Sequence, residues 1–180
     1  TAVAAGAGGY DLPEMLKGVT TSKYYAYPSY LAFVLMSYNH TYQWNKPLTY
    51  FFNNAYASAL STYMNGKYDG GYINSKLTTQ VETLFNPDFY QRLKTPGEEL
   101  ELKEALATNS VSGWKTEIPM RLYHGTADEI IPYQNSEITL ENFKQAGSKH
   151  VQLTLIPNGT HGSSFVPMLQ DFVPWLQTLK

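Results

Sequence analysis

Cysteine is absent from the 180 residues. That excludes a disulfide framework and any thiolate metal site. The four histidines are scattered, with no pair four apart beside a glutamate, so neither a metal nor another cofactor is expected. Long apolar runs are missing as well. The longest mainly hydrophobic stretch, Tyr30 to Met36, falls far short of the roughly 20 residues a membrane span requires. Charge of one sign is equally scarce. A formal net charge of −2, with both signs mixed along the chain, offers no basic stripe to a phosphate backbone, and nucleic acid is not an expected partner. What the chain does have is a hydrophobic content of 43%, enough for a buried core at a length that suits one domain. It opens on Thr1-Ala-Val-Ala-Ala-Gly with neither an initiator methionine nor a basic leader, a start expected of the middle of something longer.

Val3 to Ala7 is a short run of small apolar residues broken by Gly8-Gly9, the pattern of a buried strand that ends in a loop. From Asp11 to about Asn109 the texture changes. Most of the fifteen tyrosines lie here, punctuated by Trp44, Pro28, Pro47, Pro87 and Pro96, and a set of short helices is expected. Pro47 through Tyr63, closed by Asn65-Gly66, reads as one of them. Glu98 to Thr108, rich in Glu, Leu, Lys and Ala, reads as another. Beyond Trp114 the order becomes regular. Met120 to His124 is a strand and Gly125 to Ile131 its loop. Pro132 to Ala146 is an amphipathic helix with Leu140, Phe143 and Ile138 inward. Val151 to Ile156 is a second strand and Pro157 to Gly162 its loop. A last helix is marked by Phe165, Leu169, Phe172, Leu176 and Leu179, and Pro174 is expected to kink or shorten it. Strand, loop, helix repeated at these lengths is a parallel βαβα arrangement. Both loops then emerge at the same edge of the sheet.

Those loops carry Asp128 and His161. Either residue alone reads as readily as a turn or cap aspartate, or as a solvated histidine. Together they mean more, because adjacent parallel strands bring their loops within side-chain reach. A carboxylate beside an imidazole fixes its tautomer and stabilises its cation. Gly125 permits a tight turn that aims the carboxylate across the sheet edge. His124 reads as a residue that packs or hydrogen-bonds at the strand end rather than as a second base. His40 and His150 read as surface residues. The tyrosines between Asp11 and Asn109 read as packing residues first, a minority of which could line an acyl or sugar site.

Arg121-Leu-Tyr-His-Gly-Thr-Ala-Asp-Glu-Ile-Ile-Pro-Tyr133, followed by Pro157-Asn-Gly-Thr-His161-Gly, resembles the acid and histidine loops of α/β-hydrolases, whose triad runs in the order Ser, Asp or Glu, His. The resemblance implies an α/β fold consisting of the C-terminal portion of an α/β-hydrolase: the last three parallel strands with their helices, plus a helical cap insertion. Residues 1–12 and 110–180 would form the partial core and residues 13–109 the cap or lid. Asn109-Ser-Val-Ser-Gly-Trp114 leading to Pro119 is also similar to the approach to the acid strand in microbial secretory lipases and cell-wall esterases, which implies a secreted or periplasmic protein.

One element of the family is not in the sequence. No Gly-X-Ser-X-Gly occurs in it, so the nucleophile elbow would lie on a missing N-terminal half. Ser163 and Ser164 stand near His161 but begin a helix, without the strand-turn-helix setting of an elbow. The implied activity is that of a serine carboxylic-ester hydrolase in which Asp128 and His161 are the acid and the base, inactive as this chain alone. Its partners would be an ester substrate and either the missing half or a second copy paired along Val3 to Ala7. A peptidase or other hydrolase on the same scaffold, and a non-catalytic binding module, remain as alternatives.

Overall fold

The computed structural model describes Thr1 to Leu179. Two compact units emerge, one made of Thr1–Met15 with the chain from Ala107 onward, the other of Leu16–Leu106.

The first unit is built on a three-stranded parallel sheet, β1 (Val3–Gly6), β2 (Met120–Gly125) and β3 (Val151–Ile156), in the order β1-β2-β3. The register pairs Val3 with Met120 and Met120 with Val151. Strand β1 is one residue shorter than the apolar run suggests. Ala7 turns to a φ of 46°, although its N–H still donates to the Tyr123 carbonyl at 2.8 Å. Alternation along β2 sends its side chains to two different helices. His124 bonds Ser136 on α9 (Gln134–Gln145), while Arg121 and Tyr123 both donate to Asp171 on α10 (Phe165–Gln177), at 2.7 and 2.8 Å. The Tyr123 hydroxyl, against the opposing effect of burial and with the help of Arg121, holds the Asp171 carboxyl below the usual carboxylate range. Met120, Leu122, Phe143 and Val151 form the core, with Val3, Ala5, Tyr10, Leu140 and Leu153 packed against it. Trp114 closes one side edge-on to Phe143 at 4.7 Å between ring centroids.

Two expectations for this unit are corrected. Phe143 and Leu140 face the core as expected, but the rest of the inward face of α9 is polar, with Asn135, Ser136 and Thr139 buried and Ile138 only partly so. Asn135 and Ser136 can be buried because distant groups partner them, Ser136 Oγ meeting His124 Nδ1, whereas the buried Thr139 hydroxyl has no hydrogen-bond partner among the described residues. Asn135 Oδ1 accepts from the N–H of Tyr10 and of Asp11, and its Nδ2 donates to the Asp11 carbonyl. Secondly, α10 runs through Pro174 to Gln177 and buries none of its residues, leaving Phe165, Val166, Leu169, Val173 and Leu176 exposed.

The second unit is mainly helical. It takes in most of α1 (Leu12–Thr21), then α2 (Pro28–Thr41), α3 (Leu48–Phe51), α4 (Asn54–Tyr63), α5 (Gly70–Asn74), α6 (Val81–Leu84), α7 (Pro87–Lys94) and most of α8 (Leu100–Thr108). The single helix expected from Pro47 to Tyr63 is two. Phe52 and Asn53 are extended between α3 and α4, Phe52 bridges to Phe85, and the Asn53 side chain accepts from the Ala55 N–H to start α4. Asp69 and Asn86 cap α5 and α7 in the same way. The core is aromatic: Phe51 meets Phe89 edge-on at 5.2 Å, and Phe85 lies against Phe52, Phe89 and Tyr90. No helix of the described residues is long and apolar enough to cross a membrane.

Candidate active site

Strands β2 and β3 end side by side, and the loops that follow are joined across the edge by bonds of short reach. The Thr126 N–H donates to the Ile156 carbonyl, the Asn158 N–H to Thr126 Oγ1 and the Ala127 N–H to the Gly159 carbonyl, at 3.0, 2.8 and 2.9 Å. Glu129 extends the seam by accepting from the backbone N–H of His161 at 3.2 Å. The loops approach so closely that a Cβ on Gly125 would collide with the Gly159 carbonyl and with Ser164 Oγ. Gly125 is therefore required by crowding; its φ lies outside the left-handed region. Asn158, with a φ of 57°, makes the turn on the histidine side, a conformation that asparagine tolerates better than most residues.

Asp128 and His161 meet at the centre of this seam. Asp128 Oδ1 accepts from the N–H groups of Ile130 and Ile131, at 2.9 and 2.8 Å. Its Oδ2 lies 2.8 Å from His161 Nδ1. A carboxylate that already accepts two amide protons accepts a third from Nδ1, so neutral His161 carries its proton on Nδ1 and a lone pair on Nε2. The Asp128 side chain is wholly buried while that of His161 is 37% exposed. The pair thus has one sequestered end and one that a reactant can reach.

Behind Asp128 stands His124, whose side chain is also wholly buried. Its Nδ1 lies 2.6 Å from Ser136 Oγ, and its Nε2 lies 2.8 Å from the Ile131 carbonyl and 3.3 Å from Asp128 Oδ2. Burial holds its pKa below the ordinary value of 6.5, outweighing the opposite pull of the Ile131 carbonyl and of Asp128.

Of the remaining sequence candidates, His40 and His150 are exposed. Ser163 Oγ accepts from the N–H and the hydroxyl of Thr160, and Ser164 Oγ donates to the Thr160 carbonyl at 2.6 Å, so both serines serve the turn into α10. Glu129, Thr126 and Ser136 were invisible as contributors in the sequence. Each acts on a residue of another element, and no local pattern reveals such a partner. Among the described residues no three His, Asp or Glu side chains gather to hold a metal ion.

A short parallel sheet with the loop of Asp128 after one strand and that of His161 after the next is the C-terminal portion of the α/β-hydrolase fold, and the chain has that fold. A presumed hydrolase from Legionella pneumophila superposes with a TM-score of 0.84 at 20% identity, over 99% of this chain and 48% of its own. The rice cell wall degrading esterase LipA from Xanthomonas oryzae superposes with a TM-score of 0.73 at 23% identity, over 93% of this chain and 47% of its own. The chain thus spans about half the length of the structures it matches. No family model matches it, and sequence comparison with curated proteins yields no match.

Proposed function

We propose that the protein is a serine carboxylic-ester hydrolase whose base is His161 and whose acid is Asp128, and that its serine belongs to a complementary N-terminal half of the fold. The observation that carries the reading is the 2.8 Å contact between His161 Nδ1 and a fully buried Asp128 side chain, with the His161 side chain 37% exposed. In this scheme the serine hydroxyl attacks the ester carbonyl as Nε2 of His161 takes its proton. Collapse of the tetrahedral intermediate expels the alkoxide, which recovers that proton from Nε2–H. Water then repeats the sequence on the acyl-enzyme, with His161 again as base. Asp128 keeps the proton of neutral His161 on Nδ1 and faces the imidazolium formed at each step.

The helical unit is, on this proposal, the cap or lid insertion of the fold. The neighbouring Xanthomonas esterase acts on plant cell wall, and an ester substrate is the corresponding proposal here. A peptidase on the same scaffold would use the same groups. Paired initial rates on matched ester and amide substrates, with the serine-bearing half present, separate the two. A preference for the ester of several orders of magnitude supports the reading, and equal or greater amide turnover overturns it.

The partner surface follows from the sheet. On its outer side β1 has no strand neighbour among the described residues, and the strand carries neither charge nor proline to protect that edge. We place the complementary half, or failing that a second copy, along Val3 to Ala7. Light scattering on the purified 180-residue chain tests this. Self-association is expected, and a stable, well-folded 20.3 kDa monomer contradicts it.

A further inference from the structure

We infer that His124 is a positioning residue that braces the acid of the pair. The inference rests on the reading of Asp128 and His161 as acid and base. It starts from a feature that reading leaves unused: a second imidazole, entirely buried, 3.3 Å from the same carboxylate oxygen that meets His161.

Its protonation pattern follows from its neighbours. Nε2 faces two acceptors, the Ile131 carbonyl at 2.8 Å and Asp128 Oδ2 at 3.3 Å, so Nε2 must bear hydrogen. Nδ1 faces the Ser136 hydroxyl at 2.6 Å, which can donate to it. Burial favours the uncharged ring. His124 is therefore a neutral Nε2–H imidazole, locked at both nitrogens.

A continuous chain of donors results. Ser136 on α9 donates to His124 at the end of β2, and His124 donates to the Ile131 carbonyl. The Ile131 N–H donates to Asp128 Oδ1, and Asp128 Oδ2 accepts from His161. His124 grips the carbonyl of the residue whose amide holds the carboxylate. It also leaves Oδ2 little room to turn away from His161. A buried leucine or phenylalanine would fill the space without supplying the grip. The carbonyl of Ile131 would then be left without its donor, and the carboxylate would keep its two amides but lose the brace behind them.

The test reads the His161 ring proton by nitrogen-15 resonance of labelled chain, and needs no turnover. In the unaltered protein His124 is expected as the Nε2–H tautomer and His161 as Nδ1–H, the latter with a low-field proton. An Nδ1–H or charged His124 near neutral pH overturns the inference. His124→Leu is expected to abolish the low-field signal, whereas His124→Gln, whose amide nitrogen can donate near the position of Nε2, is expected to retain it. A folded His124→Leu protein with the signal unchanged refutes the bracing role. Where the leucine variant does not fold, Ser136→Ala decides: several-fold faster exchange of the His161 proton with water is expected, and an unchanged rate is contrary. Inactivity of the assembled protein with these signals intact would instead count against the esterase reading alone.

Discussion

The two units hold their shape by different means. In the sheet-bearing unit the loops are fixed by polar side chains that reach backbone far away in sequence: Asn135 bonds Tyr10 and Asp11, up to 125 positions distant, and Glu129 bonds the His161 amide 32 away. In the helical unit most polar side chains act within a turn of their own position, as caps at Asn53, Asp69 and Asn86, and long-range cohesion comes from rings. Ser29 with Asn74, Asn86 with Thr49, Tyr50 with Glu99 and Tyr90 with the Thr20 carbonyl are exceptions. Ring packing fills volume without fixing donor and acceptor directions, whereas the polar seam sets direction through its hydrogen bonds. The residues suited to proton transfer lie in the sheet-bearing unit, where the polar seam fixes the loops.

Removing packing from the helical unit is expected to have the largest effect on stability. Phe89 is fully buried among Tyr50, Phe51 and Phe85, and Phe89→Ala is expected to cost about 3–5 kcal/mol, read from urea unfolding. A cost below 1 kcal/mol would mean that the rings are not what holds that unit. Crowding at the seam comes next. Gly125→Ala drives a methyl group into the Gly159 carbonyl and is expected to cost about 3 kcal/mol. Gly66 in the helical unit is the control. It has a φ of 80° and open space around it, so Gly66→Ala is expected to cost only about 1 kcal/mol, from backbone conformation alone. Equal costs at the two glycines would remove the distinction between crowding and conformation.

Acid sharpens the contrast further. Because the folded state lowers the His124 pKa from 6.5, the unfolded chain takes up that proton first as pH falls. The folded state therefore loses nothing on this account above 6.5, and loses stability below it, with a limiting slope of about 1.4 kcal/mol per pH unit. His124→Gln is expected to flatten the fall in unfolding free energy between pH 6.5 and lower values. An identical acid slope in that variant would contradict a neutral buried imidazole.

Much of this contrast is present in the sequence, unevenly. The strands and helices beyond Trp114 are legible because their hydrophobic period changes from helical to extended and back, with Gly and Pro at the joints. The meeting of Asp128 with His161 follows from two adjacent parallel strands. The seam around them is not legible. Ser136 shares the helical face of Leu140 and Phe143, but it and Asn135 are polar, and their burial makes sense only once residues from other elements supply partners. Gly125 is legible as a special position but for the wrong reason, since crowding from Gly159 lies 34 residues away in the chain. In the helical unit Asn53 interrupts an aromatic run that reads as continuous helix, because its value as a cap competes with the propensity of its neighbours. Pro174 lies inside α10, which runs on to Gln177.

The central claim is that His161 acts with a serine from outside these 180 residues. Its most direct test is the hydrolysis of a nitrophenyl acetate by the 180-residue chain and by the product of its complete reading frame, each with and without His161→Ala. No turnover is expected from the chain alone, and turnover by the complete product is expected to fall by about 10⁴-fold or more with His161→Ala. Turnover by the 180-residue chain that His161→Ala abolishes would contradict that claim and return the nucleophile to Ser163 or Ser164.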